Sequence, residues 1–61
     1  MHYVATIING YNRNAMSFKT EKAAEEWLDA NNNNLENTTT IDVYDDNWVK
    51  KDGFIYTEGK E

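Results

Sequence analysis

Residues 20–30, Thr-Glu-Lys-Ala-Ala-Glu-Glu-Trp-Leu-Asp-Ala, decide the fold, because no other stretch repeats its apolar residues at helical spacing. Ala23, Ala24, Trp27 and Leu28 recur at three- and four-residue steps and make one apolar stripe, which Leu35 is expected to extend. Glu21, Lys22, Glu25, Glu26 and Asp29 fall on the other side and face water. Thr20 is the expected N-cap, with Glu21 placing negative charge near the positive end of the helix dipole. Asn31 to Asn34 supplies residues that tolerate a left-handed cap, so the helix is expected to stop within that run. One helix cannot bury its own stripe, and a sheet is required beneath it.

The flanking sequence supplies that sheet. Tyr3 to Asn9 is rich in β-branched and aromatic residues and apolar on both alternating faces, the pattern of a central strand. Asn9-Gly10 and Tyr11 to Asn14 are expected to turn the chain into a short second strand, Ala15 to Lys19, with Met16 and Phe18 facing inward. Thr38 to Asp45 alternates cleanly: Thr39, Ile41 and Val43 lie toward the core, and Thr40, Asp42 and Tyr44 toward solvent. Two turns are expected after it. A two-residue turn at Asp46-Asn47 would set Tyr44 opposite Val49 and Asp42 opposite Lys51, and Asp52-Gly53 would form a type I′ hairpin between Trp48–Lys51 and Phe54–Glu58. The expected class is therefore α+β: a single domain, residues 1–61, with one helix packed on one face of a mostly antiparallel sheet of four or five strands, in the order β-β-α-β-β(-β).

In outline the layout resembles the immunoglobulin-binding domains of protein G, through Asn9-Gly10 after the first strand and Val43-Tyr44-Asp45-Asp46 in the third. The resemblance concerns the order of elements. The aromatic residue that the family uses for antibody contact, just before its Tyr-Asp-Asp, falls near Asp42 or Val43, so antibody binding is not implied.

With 61 residues the chain is near the lower limit for a core without staples, and it has no cysteine for a disulfide or thiolate metal site and one histidine, His2. Two Trp, four Tyr and two Phe are therefore expected to carry the core. No basic leader and no long apolar run precede the first strand, which points to a soluble, cytoplasmic protein without a membrane partner.

Enzymatic signatures are missing from the sequence. Gly10, Gly53 and Gly59 are too scattered for a phosphate-cradling loop, and Ser17 has no nearby base, so the chain is expected to be non-enzymatic and to need no cofactor or metal. The pairs Glu25/Glu26 and Asp45/Asp46 point in different directions within a helix or turn. Clustered oxygens at Asp45-Asp46-Asn47 lack calcium-loop spacing and fit a turn that caps its own backbone.

Eleven acidic against six basic residues give a net charge of −5. That charge keeps a small domain soluble, disfavours direct nucleic-acid binding and attracts a basic partner. Ten of the eleven acidic residues fall into two sets, Asp42, Asp45, Asp46, Asp52, Glu58 and Glu61 in the C-terminal meander and Glu21, Glu25, Glu26 and Asp29 on the helix. The leading expectation is a small acidic protein-binding domain, an inhibitor or adaptor acting on a basic surface of a larger protein. Inhibitors of the anti-CRISPR or anti-restriction type, deployed by phages and mobile elements, act in this way as nucleic-acid mimics. Its expected contact residues are Asp42, Tyr44, Asp45, Asp46 and Asp52 of the meander and Glu21, Glu25, Glu26 and Asp29 of the helix. The alternative is a sheet that stacks single-stranded bases on exposed aromatics, Tyr44 and Tyr11, near Arg13. An unpaired edge strand also offers a route to a homodimer.

Overall fold

A computed structural model of the protein describes residues 1–56. The elements run β1 (His2–Asn9), β2 (Asn12–Phe18), α1 (Glu21–Asn31), β3 (Thr38–Tyr44) and β4 (Lys50–Ile55). The four strands form one sheet in the order β2-β1-β3-β4, every neighbouring pair antiparallel, and α1 lies on one face of it. This is the α+β arrangement expected from the sequence, with four strands. β1 holds the central position that its two apolar faces require: Ala5 and Ile7 are buried against the helix, and Thr6 is buried on the opposite face.

The core is aliphatic, not aromatic. Ala24 and Leu28 of α1 pack on Ala5 and Ile7 of β1 and Ile41 of β3, while Tyr3, Phe18, Trp27 and Tyr56 are only partly buried around them. A single helix leaves a narrow gap over a sheet, which small and branched side chains fill, and the larger rings seal its perimeter. Phe18 and Trp27 meet with ring centroids 6.1 Å apart, a tilted contact within the favourable range. Tyr56 closes the other side, its hydroxyl donating to Asp29 at 3.1 Å and its backbone N–H to the Thr39 carbonyl at 2.9 Å. Met16 shares the core face with Phe18 through its pairing with Ala5, yet is 50% exposed because β2 is an edge strand. Leu35 does not extend the helix stripe; it is 80% exposed in the loop that follows.

Thr20 caps the helix as expected, its hydroxyl accepting from the Ala23 N–H at 3.1 Å. The far end differs. Asn32 is the cap but is extended (φ −87°, ψ 114°), its N–H donating to the Leu28 carbonyl. The Asn31 side chain donates to the Trp27 carbonyl at 2.8 Å. Asparagine thus ends the helix here with side-chain amides, and no left-handed residue is needed.

The turns carry the main corrections. The first hairpin is tighter than expected, with Asn9 paired to Asn12 across Gly10-Tyr11, and Gly10 alone takes a positive φ of 61°, the signature of a type II′ turn. After β3 the chain turns over Asp45–Val49: the Trp48 N–H donates to the Asp45 carbonyl and the Asp45 N–H to the Val49 carbonyl. A register shift between Val43 and Tyr44 follows, so Tyr44 pairs with Lys50 and Asp42 with Gly53, not with Val49 and Lys51. Asp52-Gly53 makes no turn. Both residues lie inside β4, and there is no fifth strand among the described residues; the expected arm to Glu58 extends beyond them.

Leu28 is the larger of the two helix side chains that are wholly buried. Leu28→Ala is expected to cost about 2–5 kcal/mol in denaturant unfolding, whereas Leu35→Ala should stay within about 0.5 kcal/mol. Equal losses would overturn the placement of Leu28 in the core and Leu35 outside it.

Candidate functional site

The turn after β3 gathers an unusual set of side chains at one end of the sheet. Asp45 organises it: one carboxylate oxygen accepts from the N–H groups of Asn47 at 2.9 Å and Val49 at 3.0 Å. The Val49 amide above all, then the Asn47 amide and the charge of Lys51, hold the Asp45 carboxyl below the usual aspartate range. A lowered value means that this turn is fully stabilised above the ordinary aspartate pKa and loosens as pH falls through the lowered one. Within the turn Trp48 adopts φ 62°, the one described non-glycine residue with a positive φ. Left-handed backbone costs a residue with a Cβ about 1–2 kcal/mol. The residue is 53% exposed, and its ring stacks on His2 with centroids 3.9 Å apart and planes 7° apart and tilts against Tyr44 at 5.7 Å. His2 and Tyr44 are direct partners across β1 and β3, which fixes all three rings at one corner.

The carboxylates at this corner are compensated from within the chain. Lys50 reaches Asp42 at 3.3 Å, Lys51 reaches Asp45 at 3.8 Å, and the Met1 ammonium meets Asp46 at 2.8 Å. That ammonium lowers the Asp46 pKa. Gly53 makes the Asp42–Lys50 pair possible, because a Cβ there would stand 2.5 Å from the Asp42 carboxylate and 3.1 Å from Lys50 Cε. Both are ends of flexible side chains, so a Cβ at position 53 would displace this ion pair and not the strand, and the glycine serves no turn.

The helix presents a different surface. Glu21, Glu25 and Asp29 follow one another at four-residue steps and so form a single ridge. Partial desolvation first, then hydrogen bonding to and repulsion from Glu21, and repulsion from Asp29, push the Glu25 carboxyl up, with Lys22 opposing. Lys22 itself pairs with Glu26 at 3.9 Å, on the neighbouring ridge. Asp29 accepts from the Tyr56 hydroxyl, which locates the acidic ridge on the β4 side of the helix.

The expected contact residues therefore separate. Asp42 and Tyr44 share the open sheet face and the adjacent turn holds Asp45 and Asp46, while Asp52 pairs with Val43 and lies on the helix side of β4. Glu21, Glu25, Glu26 and Asp29 lie on the helix; Glu58 and Glu61 lie outside the described residues. Tyr11 and Arg13 stand at the Ile8 end of β1 and Tyr44 at the His2 end, so six residue steps, about 20 Å, divide them. Trp48 and His2 were not foreseeable as a pair. Trp48 follows Asn47, to which propensity assigns a left-handed conformation more readily, and His2 lies at the chain's start. Among the described residues no group of three or more His, Cys, Asp or Glu is arranged to hold a metal ion, and no helix is long and apolar enough to cross a membrane. No family model, curated protein or solved structure matches the chain.

Trp48→Gly and Trp48→Ala both delete the ring, but only glycine relieves the left-handed backbone. The glycine variant should be more stable than the alanine variant by about 1 kcal/mol in thermal or denaturant unfolding. Equal stabilities would show that the backbone at Trp48 stores no strain.

Proposed function

We propose that the chain is a non-enzymatic protein-binding domain, an inhibitor or adaptor that presents the Glu21–Glu25–Asp29 ridge to a basic surface of a larger protein. The observation that carries this reading is the contrast between the two acidic sets. Asp42, Asp45 and Asp46 each have a cation beside them, whereas Glu21, Glu25 and Asp29 stand together on one helix ridge, where desolvation first and then Glu21 and Asp29 push the Glu25 carboxyl up against the opposing charge of Lys22. A basic partner relieves that repulsion, so its binding favours the ionised form of Glu25. Spaced carboxylates of this kind also stand in for phosphates, which makes a nucleic-acid-binding groove the preferred target surface.

The Trp48–Tyr44–His2 corner favours a second reading, stacking of single-stranded bases on exposed rings. Asp42, Asp45 and Asp46 surround that corner and Arg13 lies at the far end of the sheet, so little positive charge is available there to hold a phosphate backbone.

Lysate of the source organism passed over the immobilised chain should yield a protein that is released by salt. With the recovered partner, Glu21→Lys, Glu25→Lys and Asp29→Lys together should weaken binding about tenfold or more, while Asp42→Asn should change it little. Affinity should be full above the raised Glu25 pKa and fall as pH drops through it. Unchanged affinity in the triple variant would remove the helix ridge from the interface. Oligonucleotide binding that falls steeply with salt would establish the second reading instead.

A further inference from the structure

We propose that the chain pairs with a second copy of itself along β2, two antiparallel β2 strands meeting about a two-fold axis at Ala15 and merging two four-stranded sheets into one. The inference is independent of what the helix engages.

The sheet has two edges, β2 and β4. β4 carries three consecutive charged residues, Lys50, Lys51 and Asp52, and a register shift, the devices by which edges resist further pairing. β2 lacks these devices. It is seven residues long, regular in register, free of proline, and carries one charge, Arg13.

Hydrogen-bond parity makes this edge complementary to itself. A two-residue hairpin closes on a hydrogen-bonded pair, here Asn9 and Asn12. Counting by twos, Asn14, Met16 and Phe18 direct their backbone N–H and C=O groups to β1, while Arg13, Ala15 and Ser17 direct theirs outward. With three outward residues the centre is Ala15. A two-fold axis there sets Ala15 against the partner's Ala15 and Arg13 against the partner's Ser17. The one charge on the strand never meets itself, and the residue that does meet itself is small and neutral. On the helix face Met16, half exposed in the single chain, lies opposite the partner's Asn14 and beside the partner's Met16.

Charge distribution selects the same edge. The acidic ridge of α1 lies on the side of Tyr56 and β4, and Asp42, Asp45, Asp46 and Asp52 belong to β3, β4 and the turn between them. The charged residues in and directly flanking β2 are Arg13 and Lys19. Two chains of charge −5 thus approach with their acidic surfaces turned outward, whereas pairing through β4 would bring those surfaces together.

Sedimentation of the full chain at concentrations up to about 1 mM tests the proposal, since a short edge buries little area and associates by mass action. Twice the 7.1 kDa chain mass is expected. Ala15→Pro deletes an outward N–H without removing a bond to β1 and should give a folded monomer. Ser17→Lys sets a lysine opposite the partner's Arg13 and should dissociate the dimer at least tenfold, and adding Arg13→Glu should restore it. A wild-type chain that stays monomeric at the highest concentration overturns the proposal. So does a dimer that survives Ser17→Lys, the variant that decides the matter if Ala15→Pro fails to fold.

Discussion

A single helix must cover one face of a four-stranded sheet, and the other features of the described residues are arranged around that constraint. Ala24 and Leu28 reach Ala5, Ile7 and Ile41, and the wholly buried set extends little further. Apolar burial contributes about 25 cal/mol per Å², so so small a core leaves little reserve against chain entropy. The periphery therefore matters more than in a larger domain. Phe18 and Trp27 close one side of the helix, and Tyr56 closes the other by joining Asp29 and Thr39. The slab is only 15 Å in its shortest dimension, so its opposite face stays open, with Thr6 buried there by its strand neighbours alone.

Elements whose sequence signal is periodic were legible, and those set by competition between turns were not. The alternation of Thr39, Ile41 and Val43 places β3 correctly, the double-sided apolar pattern of Tyr3 to Ile8 identifies the central strand, and Thr20 marks the helix start. The meander failed for a different reason. Asp-Gly carries the stronger local turn preference, but a turn at Asp52-Gly53 would forfeit the pairing of Phe54 with Ile41 and of Ile55 with Thr40. Tertiary pairing outweighs local preference, and the turn moves upstream to Asp45, whose carboxylate satisfies two amides at once. The site was legible in part. Its acidic residues were readable from composition, whereas their compensation by Lys50 and Lys51 depends on a register shift that no local pattern encodes.

Trp48 shows what that choice of turn costs. The residue after Asn47 must take a left-handed backbone to return the chain to β3, and the position carries a tryptophan where glycine is the unstrained choice. Contact with His2 and Tyr44 offsets part of the strain, since stacked aromatic pairs contribute about 0.5–1.5 kcal/mol beyond the area they bury. A ring packed between His2 and Tyr44 on a residue still half exposed has less side-chain entropy to lose on binding than a free one.

The distribution of charge follows from the same geometry. The Asp42 side chain on the open sheet face and the Asp45 side chain in the adjoining turn are only 25% and 27% exposed, and Lys50 and Lys51 stand beside them. On an exposed helix ridge a like-charge pair costs only about 0.2–0.5 kcal/mol, small against a typical total stability of about 5–15 kcal/mol. The fold can therefore keep Glu21, Glu25 and Asp29 together without losing its core. Because their repulsion is retained in the free protein, the proposed basic partner would gain both the attraction of three charges and the relief of that repulsion, an advantage that the already paired Asp42 and Asp45 cannot offer.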